Sequence, residues 1–366
     1  MKVLLLGDYS GYHATLAPAL KALGHDVTVA SDGTRWMDTP RDIDLSRRRS
    51  KAGGALIWLR LNTILAKDLR GYDIVQVNSP CFVELRPRRL RELLRRLRRD
   101  NGRIFLSALG TDSLLVKAML GENPPLRYSE WHTPSGPSAW SASDAAQRDA
   151  WLAPELADYT DEFYDSISGA ATALYEYHRV LRAMRPELPL AYAGIPVDIP
   201  DEAPRHRDKD TPLRVLFAAH AARMAEKGAD ILLQMLTGIA AAHQGSFELL
   251  TPPNMPYAAF KQTLDGVDVV ADQLYSYTPA TTALMAMARG AVPISGGEED
   301  FYDFIGEKEL RPIINPDPLD LDDTYCRLEY FLTHPDAVAA MQRQCRTFVE
   351  RHNSASVVAA RIAALW

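Results

Sequence analysis

The stretch VDVVADQLYSYTPATTALMAMARGAVPISG, residues 267 to 296, decides the fold of this chain. Its apolar runs predict one strand over 267 to 271 and a second over 292 to 294. The residues between them are typical of a loop, a helix and a turn. Strands that alternate with helices form a parallel sheet, so this segment predicts an open α/β architecture.

Capping residues stand at both ends of the predicted helix. Thr278 suits the N-cap, Pro279 the first helical position and Gly290 the left-handed position just past the end. A helix entered from a strand presents free backbone N–H groups and a partial positive charge to a nearby anion. Thr281 and Thr282 add hydroxyl donors in the same turn, so the sequence predicts an anion-binding site here.

Both halves of the chain show the same alternation of strands and helices. The strands expected in the first half are 2 to 6, 26 to 30, 74 to 77, 104 to 106 and a run near 171 to 174. Those expected in the second half are 213 to 219, 247 to 250, 267 to 271 and 292 to 294. The expected fold class is therefore α/β, with two Rossmann-like doubly wound domains that face a cleft.

Length and composition support two soluble domains. A chain of 366 residues exceeds what one core usually holds, and its 47% apolar and 24% charged content is that of a globular protein. The net charge of −6 argues against nucleic acid as a partner. Cys81, Cys326 and Cys345 are odd in number and widely spaced, which favours a reducing compartment over disulfides or a zinc site. The start MKVLLL reads as a strand and no apolar run could span a bilayer, so we expect a cytoplasmic protein.

The stretch quoted above resembles the donor-site segment of GT-B-fold glycosyltransferases. It is most similar to the retaining family, group 1 or family 4, that includes sucrose and glycogen synthases. The resemblance lies in DQL at 272 to 274, AMARG at 286 to 290 and VPI at 292 to 294. It implies a donor domain over 213 to 345. It further implies an acceptor-side domain over 1 to 190, a proline-rich linker over 191 to 212, and a terminal helix over 346 to 366 that returns to the first domain.

The resemblance also implies which residues bind the donor. The helix start, with Thr278, Ala280, Thr281 and Thr282, would contact a nucleotide-diphosphate sugar. Two glutamates of fixed spacing usually face the donor sugar and the ribose in that family. Tyr277 and Met285 occupy those two positions here.

The loop HAARMAEKG, at 220 to 228, places Arg223 and Lys227 after a strand, at the edge where open α/β sheets bind ligands. A guanidinium that forks two oxygens and an ammonium that acts as a point charge suit a diphosphate. Related enzymes use such a pair on the donor phosphates, without a metal, and a phosphate oxygen takes the acceptor proton. The alternative is a pair of ordinary solvated charges at a helix start.

Glu298 and Glu299 follow the strand at 292 to 294 and lie at the same edge. Because Met285 cannot accept hydrogen bonds from the ribose hydroxyls, we expect Glu298 or Glu299 to do so. The alternative is an acidic first turn for a helix that begins near Phe301.

In the N-terminal half, Gly11 in the loop 7 to 13 would let the backbone approach a ligand from the opposite side of the cleft. His13 and Asp112 are the polar groups expected to reach the cleft. Asp112 closes a Gly-Thr-Asp turn that the family often has. For His13 the alternative is a cap or surface residue.

Two further segments each allow two interpretations. The insert from 121 to 165 is rich in tryptophan and tyrosine, which predicts either a sugar-stacking acceptor platform or a loop pinned to the domain. Residues 86 to 99 carry eight arginines around a leucine stripe. They predict either a solvated helix, which we prefer, or contact with anionic lipid at the inner membrane face.

The function expected from these observations is transfer of a sugar from a nucleotide-diphosphate sugar to a hydroxyl of a glycan or lipid-linked glycan. The anomeric configuration would be retained, and no cofactor or metal is expected. Two alternatives stay open: a catalytically inactive scaffold or glycan-binding protein, and a sugar-nucleotide epimerase. Fold alone does not choose among them.

Overall fold

The computed structural model describes residues 1–34, 37–204, 211–218, 223–252 and 255–366. Within these ranges the chain forms two parallel sheets with helices on their faces. The strands of the first half are β1 (Lys2–Leu6), β2 (Asp26–Ser31), β3 (Ile43–Asp44), β4 (Ile74–Val77), β5 (Arg103–Ala108), β6 (His132–Thr133), β7 (Gly136–Pro137), β8 (Gly169–Thr172) and β9 (Leu190–Tyr192). Seven of them form one sheet in the order β3-β2-β1-β4-β5-β8-β9, while β6 and β7 make a separate antiparallel pair.

The helices of the first half are α1 (Tyr12–Ala22), α2 (Lys51–Asn62), α3 (Pro87–Asp100), α4 (Ser113–Met119), α5 (Ala139–Ser143), α6 (Ala145–Trp151), α7 (Pro154–Tyr164) and α8 (Tyr175–Met184). The central strand β1 pairs in parallel with both β2 and β4. Residues 3 to 6 of β1 are fully buried, because helices cover both faces of the sheet.

The second half has strands β10 (Leu213–Phe217), β11 (Phe247–Leu250), β12 (Val269–Ala271) and β13 (Val292–Ile294), which form a parallel sheet in the order β11-β10-β12-β13. Its helices are α9 (Ala229–Ala242), α10 (Tyr257–Thr263), α11 (Thr281–Ala288), α12 (Glu299–Ile305), α13 (Leu321–Thr333), α14 (Pro335–His352) and α15 (Ala355–Leu365). The α/β class expected from the sequence is confirmed, with two Rossmann-like units.

In each sheet the strand order reverses beside the first strand. The chain runs from β1 outward to β3 and then returns to place β4 on the other side of β1. It likewise runs from β10 to β11 and then places β12 on the other side of β10. Ligands of open α/β sheets bind at such reversals, beyond the carboxyl ends of the strands. The loops that follow β1, β10 and β12 are therefore the places to look for a site.

The C-terminal helix α15 lies on the first domain. It packs against α1, and Trp366 after it donates from Nε1 to Gln76 Oε1 at 2.8 Å. Arg361 of α15 donates to the Ala193 carbonyl at 3.1 Å. The residues between α14 and α15 pair with the segment that follows β9, since Val197 N donates to Asn353 O at 2.8 Å. The C-terminal residues are therefore held both against the first domain and against the segment that joins the two domains.

Several element boundaries differ from those expected. Helix α11 begins at Thr281 with Ala280 as its N-cap, so the prediction of Thr278 as the cap and Pro279 as the first helical residue is wrong. Gly290 has φ 86°, which confirms the left-handed position past the helix end. Strand β10 ends at Phe217, and residue 219 lies outside the described ranges, as do 220 to 222 of the predicted cationic loop. Strand β9 begins at Leu190 and extends the first sheet into the segment expected to be linker.

The arginine-rich helix α3 buries its leucines and exposes its charges. Leu90, Leu93, Leu94 and Leu97 are at most 1% exposed, which confirms the leucine stripe. Glu162 of α7 pairs with Arg91 and Arg95, so part of the basic face is neutralised within the domain. None of the helices in the described part of the chain is long and apolar enough to cross a bilayer.

Candidate functional site

A cleft of about 710 Å³ lies between the two domains, at the carboxyl edges of both sheets. Its C-terminal wall comes from the loops after β10 and β12 and from the start of α11. The residues of this wall are Arg223, Glu226, Lys227, Gln273, Tyr275, Ser276, Tyr277, Ala280, Thr281 and Thr282. The facing wall includes Tyr9, Ser10, Tyr12, Thr111, Glu130, Trp131, Trp151, Glu176 and Tyr177. The topology therefore brings the predicted cationic loop and the predicted helix start to one cavity.

Lys227 lines the cleft and is held by a buried carboxylate. Its Nζ lies 2.8 Å from Asp272 Oδ1, and the side chain of Asp272 is 1% exposed. The other Asp272 oxygen has no hydrogen-bond partner among the described residues. Gly228, with φ 62°, permits the turn, because a Cβ there would stand 2.9 Å from Leu274 Cβ. The ammonium is thus fixed between the loops after β10 and β12. Lys227 is therefore not the ordinary solvated charge of the alternative interpretation.

Arg223 lies on the same wall with a freer side chain. Its Nε donates to Glu226 Oε2 at 2.9 Å, and the side chain is 57% exposed. This pair is local, three residues apart on one turn. An exposed pair of this kind is worth at most about 1 kcal/mol, so the guanidinium can exchange its partner for an incoming anion.

The start of α11 opens on the cleft as the sequence predicts, although two residues later. Ala280 has no side chain that could cap the helix, so its first-turn N–H groups receive no side-chain cap. Thr281 and Thr282 line the cleft beside them. The helix start therefore offers N–H and hydroxyl donors to an anion.

Thr278 has a different role from the one expected. Its Oγ1 donates to Glu176 Oε2 at 2.6 Å and accepts from Tyr175 N at 3.0 Å. Glu176 Oε1 also accepts from the backbone N–H groups of Tyr277 and Thr278, at 2.6 and 3.1 Å. Thr278 is buried and joins the loop before α11 to the first turn of α8. The hydroxyl of Thr278 is therefore already hydrogen-bonded and does not make the contact with the nucleotide-sugar that the sequence predicts.

Tyr277 and Met285, at the two positions where the resembling family has glutamates, pack into the domain interface and the core. Tyr277 is 2% exposed, and its ring stacks on Tyr128 with centroids 4.6 Å apart. Met285 is 9% exposed, with Sδ 3.3 Å from the hydroxyl of Tyr257. Neither side chain supplies a carboxylate to the cleft.

Glu298 is committed to the contact between the domains. Its Oε1 accepts from the Tyr128 hydroxyl at 2.7 Å and its Oε2 from Arg127 at 3.1 Å. Glu299 is the first residue of α12 and pairs on the surface with Arg311 at 3.1 Å. Neither glutamate lines the cleft, which corrects their expected position, and for Glu299 the alternative of an acidic first turn describes the structure.

His13 and Asp112 do not reach the cleft, which corrects a second expectation. His13 is fully buried, with Nδ1 2.6 Å from the Gly7 carbonyl and Nε2 3.1 Å from Ser107 Oγ. Burial lowers its pKa. Asp112 caps α4 by accepting from Leu115 N at 2.8 Å, and it also accepts from the hydroxyl of Tyr164.

Gly11 is the N-cap of α1, with φ 73°. A side chain there would adopt the left-handed conformation that glycine tolerates best. Its neighbours Ser10 and Tyr12 line the cleft, whereas Gly11 does not. The loop therefore approaches the cavity as expected, through other residues.

Two glutamates of the facing wall, Glu176 and Glu130, were not predicted from the sequence to line the cleft. Glu176 follows the end of β8 in the first turn of a helix, a position that could have been recognised as a strand end. Glu130 lies in the aromatic insert, where nothing in the local pattern marks it. Burial raises the pKa of Glu130 to about 7; the charges of Glu226 and Glu176 act in the same direction and that of Arg223 opposes them.

In the ranges that the structure covers, no three His, Cys, Asp or Glu side chains are grouped so that they could hold a metal ion.

No protein-family model matches this sequence, and no curated protein sequence matches it significantly. Solved structures do resemble the fold over its whole length. Sucrose-phosphate synthase from Thermosynechococcus elongatus superposes with a TM-score of 0.63 at 14% identity, covering 100% of this chain and 98% of that one. HepE of Anabaena, in complex with UDP-glucose, gives 0.58 at 11% identity with 100% and 98% covered. A candidate UDP-N-acetylglucosamine 2-epimerase from Listeria monocytogenes gives 0.55 at 12% identity with 100% and 95% covered. At these identities the likeness is one of architecture, and it shows that this chain has the GT-B fold, two Rossmann-like domains facing a cleft.

Proposed function

We propose that this protein is a glycosyltransferase that moves a sugar from a nucleotide-diphosphate sugar to a hydroxyl acceptor. The observation that carries the proposal is the C-terminal wall of the cleft, where Arg223, Lys227 and the start of α11 line one cavity. Two cations and a set of helix N–H donors suit the diphosphate of such a donor. The fold-level likeness to HepE, which was solved with UDP-glucose, agrees with this ligand class.

In the proposed reaction the protein acts chiefly on the leaving group. Negative charge grows on the diphosphate as the bond to the sugar breaks, and fixed donors stabilise it without reorganising. Arg223 would fork two phosphate oxygens once it releases Glu226, while Lys227 would contribute its charge from a fixed position. These groups would serve the donor without a metal. Retention of the anomeric configuration, to a glycan or lipid-linked glycan acceptor, is part of the same proposal, and the anomeric coupling constant of the product would check it.

The first test measures thermal stabilisation by UDP, GDP, ADP and their common sugars, without added metal. A ligand at about 100 times its Kd adds about 2.7 kcal/mol to the folded state. Arg223→Ala should lose most of the stabilisation that the best nucleotide gives.

Arg327→Ala is the matched control, since Arg327 is 56% exposed and pairs locally with Asp323, as Arg223 pairs with Glu226. No stabilisation by any nucleotide, or equal stabilisation of both variants, would overturn the proposed donor site.

Two alternatives keep specific support. Packed side chains at positions 277 and 285, in place of carboxylates, favour an inactive scaffold or glycan-binding protein. The likeness to an epimerase favours rearrangement of the donor alone. Turnover of the nucleotide-sugar without acceptor and without hydrolysis would identify an epimerase. Nucleotide binding with no turnover of any kind would identify the inactive relative.

Although the sequence alone favours a solvated helix at 86 to 99, exposed apolar side chains beside it lead us to propose also a peripheral contact of the first domain with an anionic membrane, in a cytoplasmic protein. Leu56, Leu59 and Ile64, on α2 and just after it, are 58 to 66% exposed. Arg96 of the neighbouring α3 donates to Asn62 at 2.8 Å, so the basic helix flanks these apolar side chains. Exposed leucines beside arginines suit a headgroup layer.

Sedimentation with anionic liposomes tests the contact. Binding at low salt that falls in high salt and in Leu56→Ser is expected, and no binding at low salt would refute it.

A further inference from the structure

Glu130 is a carboxylate in the cleft with no ion-pair partner in the described part of the chain. It lies in the segment between α4 and the hairpin strand β6, directly before Trp131, and both residues line the cavity. Its carboxylate forms no ion pair and no bond to another side chain within the described residues, and its own backbone N–H is its hydrogen-bond donor. Other acids around the cavity are committed, since Glu226 pairs with Arg223 and Glu176 holds the 277 to 278 backbone.

A half-buried carboxylate without a partner costs free energy, because burial penalises its charged form. Among the described groups, its own backbone N–H and the charge of Arg223 oppose that cost at Glu130, and no ion pair removes it. Its backbone carbonyl, in contrast, is structural and accepts a hydrogen bond from Ser138. The carboxylate, which bonds to no other residue in the described part of the chain, is therefore available to a ligand, while the main chain fixes its place.

The charged and titratable groups around Glu130 come from two elements. Glu226 and Arg223 belong to the loop before α9, and Glu176 and Tyr177 to the first turn of α8. The charge of Arg223 reaches Glu130 and opposes the effect of burial on its pKa. Glu130 lines the same cavity as the guanidinium proposed to hold the diphosphate. A bound diphosphate would offset that positive charge and favour proton uptake by Glu130.

We propose that Glu130 is the catalytic base for the acceptor. In the transfer step the acceptor hydroxyl oxygen bonds to the anomeric carbon of the donor sugar. The bond from that carbon to the diphosphate oxygen breaks, and its electron pair leaves with the diphosphate. The hydroxyl proton passes to a carboxylate oxygen of Glu130. This inference rests on the proposed glycosyltransferase function, and it replaces the phosphate oxygen that the resemblance implies as the proton acceptor.

Glu130 lines the same cavity as Arg223, the residue proposed to hold the diphosphate. A base is useful when its pKa lies near the working pH, and burial brings the pKa of Glu130 to about 7. The base form is present above that pH. The kcat/KM for the donor should therefore increase as pH rises through about 7, and kcat should increase at a higher pH because the bound diphosphate favours the protonated form.

The experiment compares wild type, Glu130→Gln and Glu122→Gln. Glu122 is exposed in the same insert, so its variant is the matched control. The donor probe is UDP-glucose, or the nucleotide-sugar that stabilises the wild type best, and the acceptors are water and a set of p-nitrophenyl glycosides. We expect Glu130→Gln to lower kcat by a factor of about 10² to 10⁴ and to flatten the pH profile, with nucleotide stabilisation unchanged. Glu130→Asp should restore part of both.

Two outcomes distinguish failure of the proposed base from failure of the proposed function. Nucleotide stabilisation with undiminished transfer and the same pH profile in Glu130→Gln overturns the base and leaves the proposed function standing. No nucleotide stabilisation and no turnover in the wild type overturns the proposed function. Infrared difference titration of wild type against Glu130→Gln does not need turnover. A carboxyl that titrates near pH 7 in that difference is expected, and one that titrates in the ordinary glutamate range refutes the inference.

Discussion

The pairing of Lys227 with Asp272 leads to a quantitative prediction about stability. Replacing Lys227 by Met keeps the apolar stem and removes the ammonium. Asp272, whose side chain is 1% exposed, would then lose its cation at 2.8 Å. Removing one partner of a buried ion pair costs about 3 to 5 kcal/mol. We expect the low end, about 3 kcal/mol, because Lys227 is itself 19% exposed and water can reach its end of the pair.

The assay has to report on the C-terminal domain. All six tryptophans lie at or before residue 151 or at residue 366, so their fluorescence follows the first domain. Hydrogen exchange of a peptide that spans β12 reports directly on the strand next to Asp272. A loss of 3 kcal/mol corresponds to exchange that is faster by a factor of about 150, since 1.4 kcal/mol is tenfold. Urea unfolding followed by circular dichroism gives a second measure.

The double variant, Lys227→Met with Asp272→Asn, separates structure from ligand binding. Removing both charges should recover most of the lost stability, because no buried charge is left unpaired. Nucleotide stabilisation should remain reduced in the double variant, since the cation that faces the diphosphate is still missing. Exchange at β12 that changes less than about fivefold in Lys227→Met, or that the second substitution fails to restore, would refute this account of the pair.

Three further predictions follow from the packing and the charges. Tyr128→Phe removes a 2.7 Å hydrogen bond to Glu298 and should cost about 1 to 2 kcal/mol; an unchanged urea midpoint would contradict a stabilising role for this interdomain contact. Burial would raise the pKa of Glu307, but hydrogen bonds from the side chains of α14 and from backbone N–H groups outweigh it and lower the pKa to about 2. Its contribution to stability is therefore complete above the ordinary glutamate pKa and is lost as pH falls toward 2. Acid titration of Glu307→Gln should show less loss over that range than wild type. Leu94→Ala, at 1% exposure, should cost about 2 to 5 kcal/mol, whereas Leu56→Ala, at 60%, should cost almost nothing; similar midpoints for both would contradict the packing of α3.

Local sequence patterns were sufficient to predict the architecture. Runs of apolar residues mark buried parallel strands, and the 3.6-residue spacing of the α3 leucines marks one buried helix face. Gly290 predicts the turn after α11 because few other residues adopt its φ of 86° at low cost. Such signals depend on neighbours within a turn or a strand, so no knowledge of the tertiary structure is needed to read them.

The site was predicted only where topology alone fixes position. Arg223, Lys227 and Thr281 follow strand ends at the edge where a parallel sheet binds ligands, and all three line the cleft. The partner of Lys227 was not predicted, because Asp272 lies 45 residues away along the chain.

What only the tertiary structure decided is which polar groups remain available. Thr278 is a residue type that often caps helices, but its hydroxyl donates a hydrogen bond to Glu176, 102 residues away along the chain. His13 follows a strand end, as Arg223 and Lys227 do, but its side chain is fully buried. Glu130 belongs to an insert without a periodic pattern, and it lines the cleft with its backbone carbonyl bonded to Ser138 and its carboxylate bonded to no other side chain among the described residues. Sequence determines the elements through local periodicity, whereas the free energy of a polar side chain depends on partners that only the docking of distant segments provides.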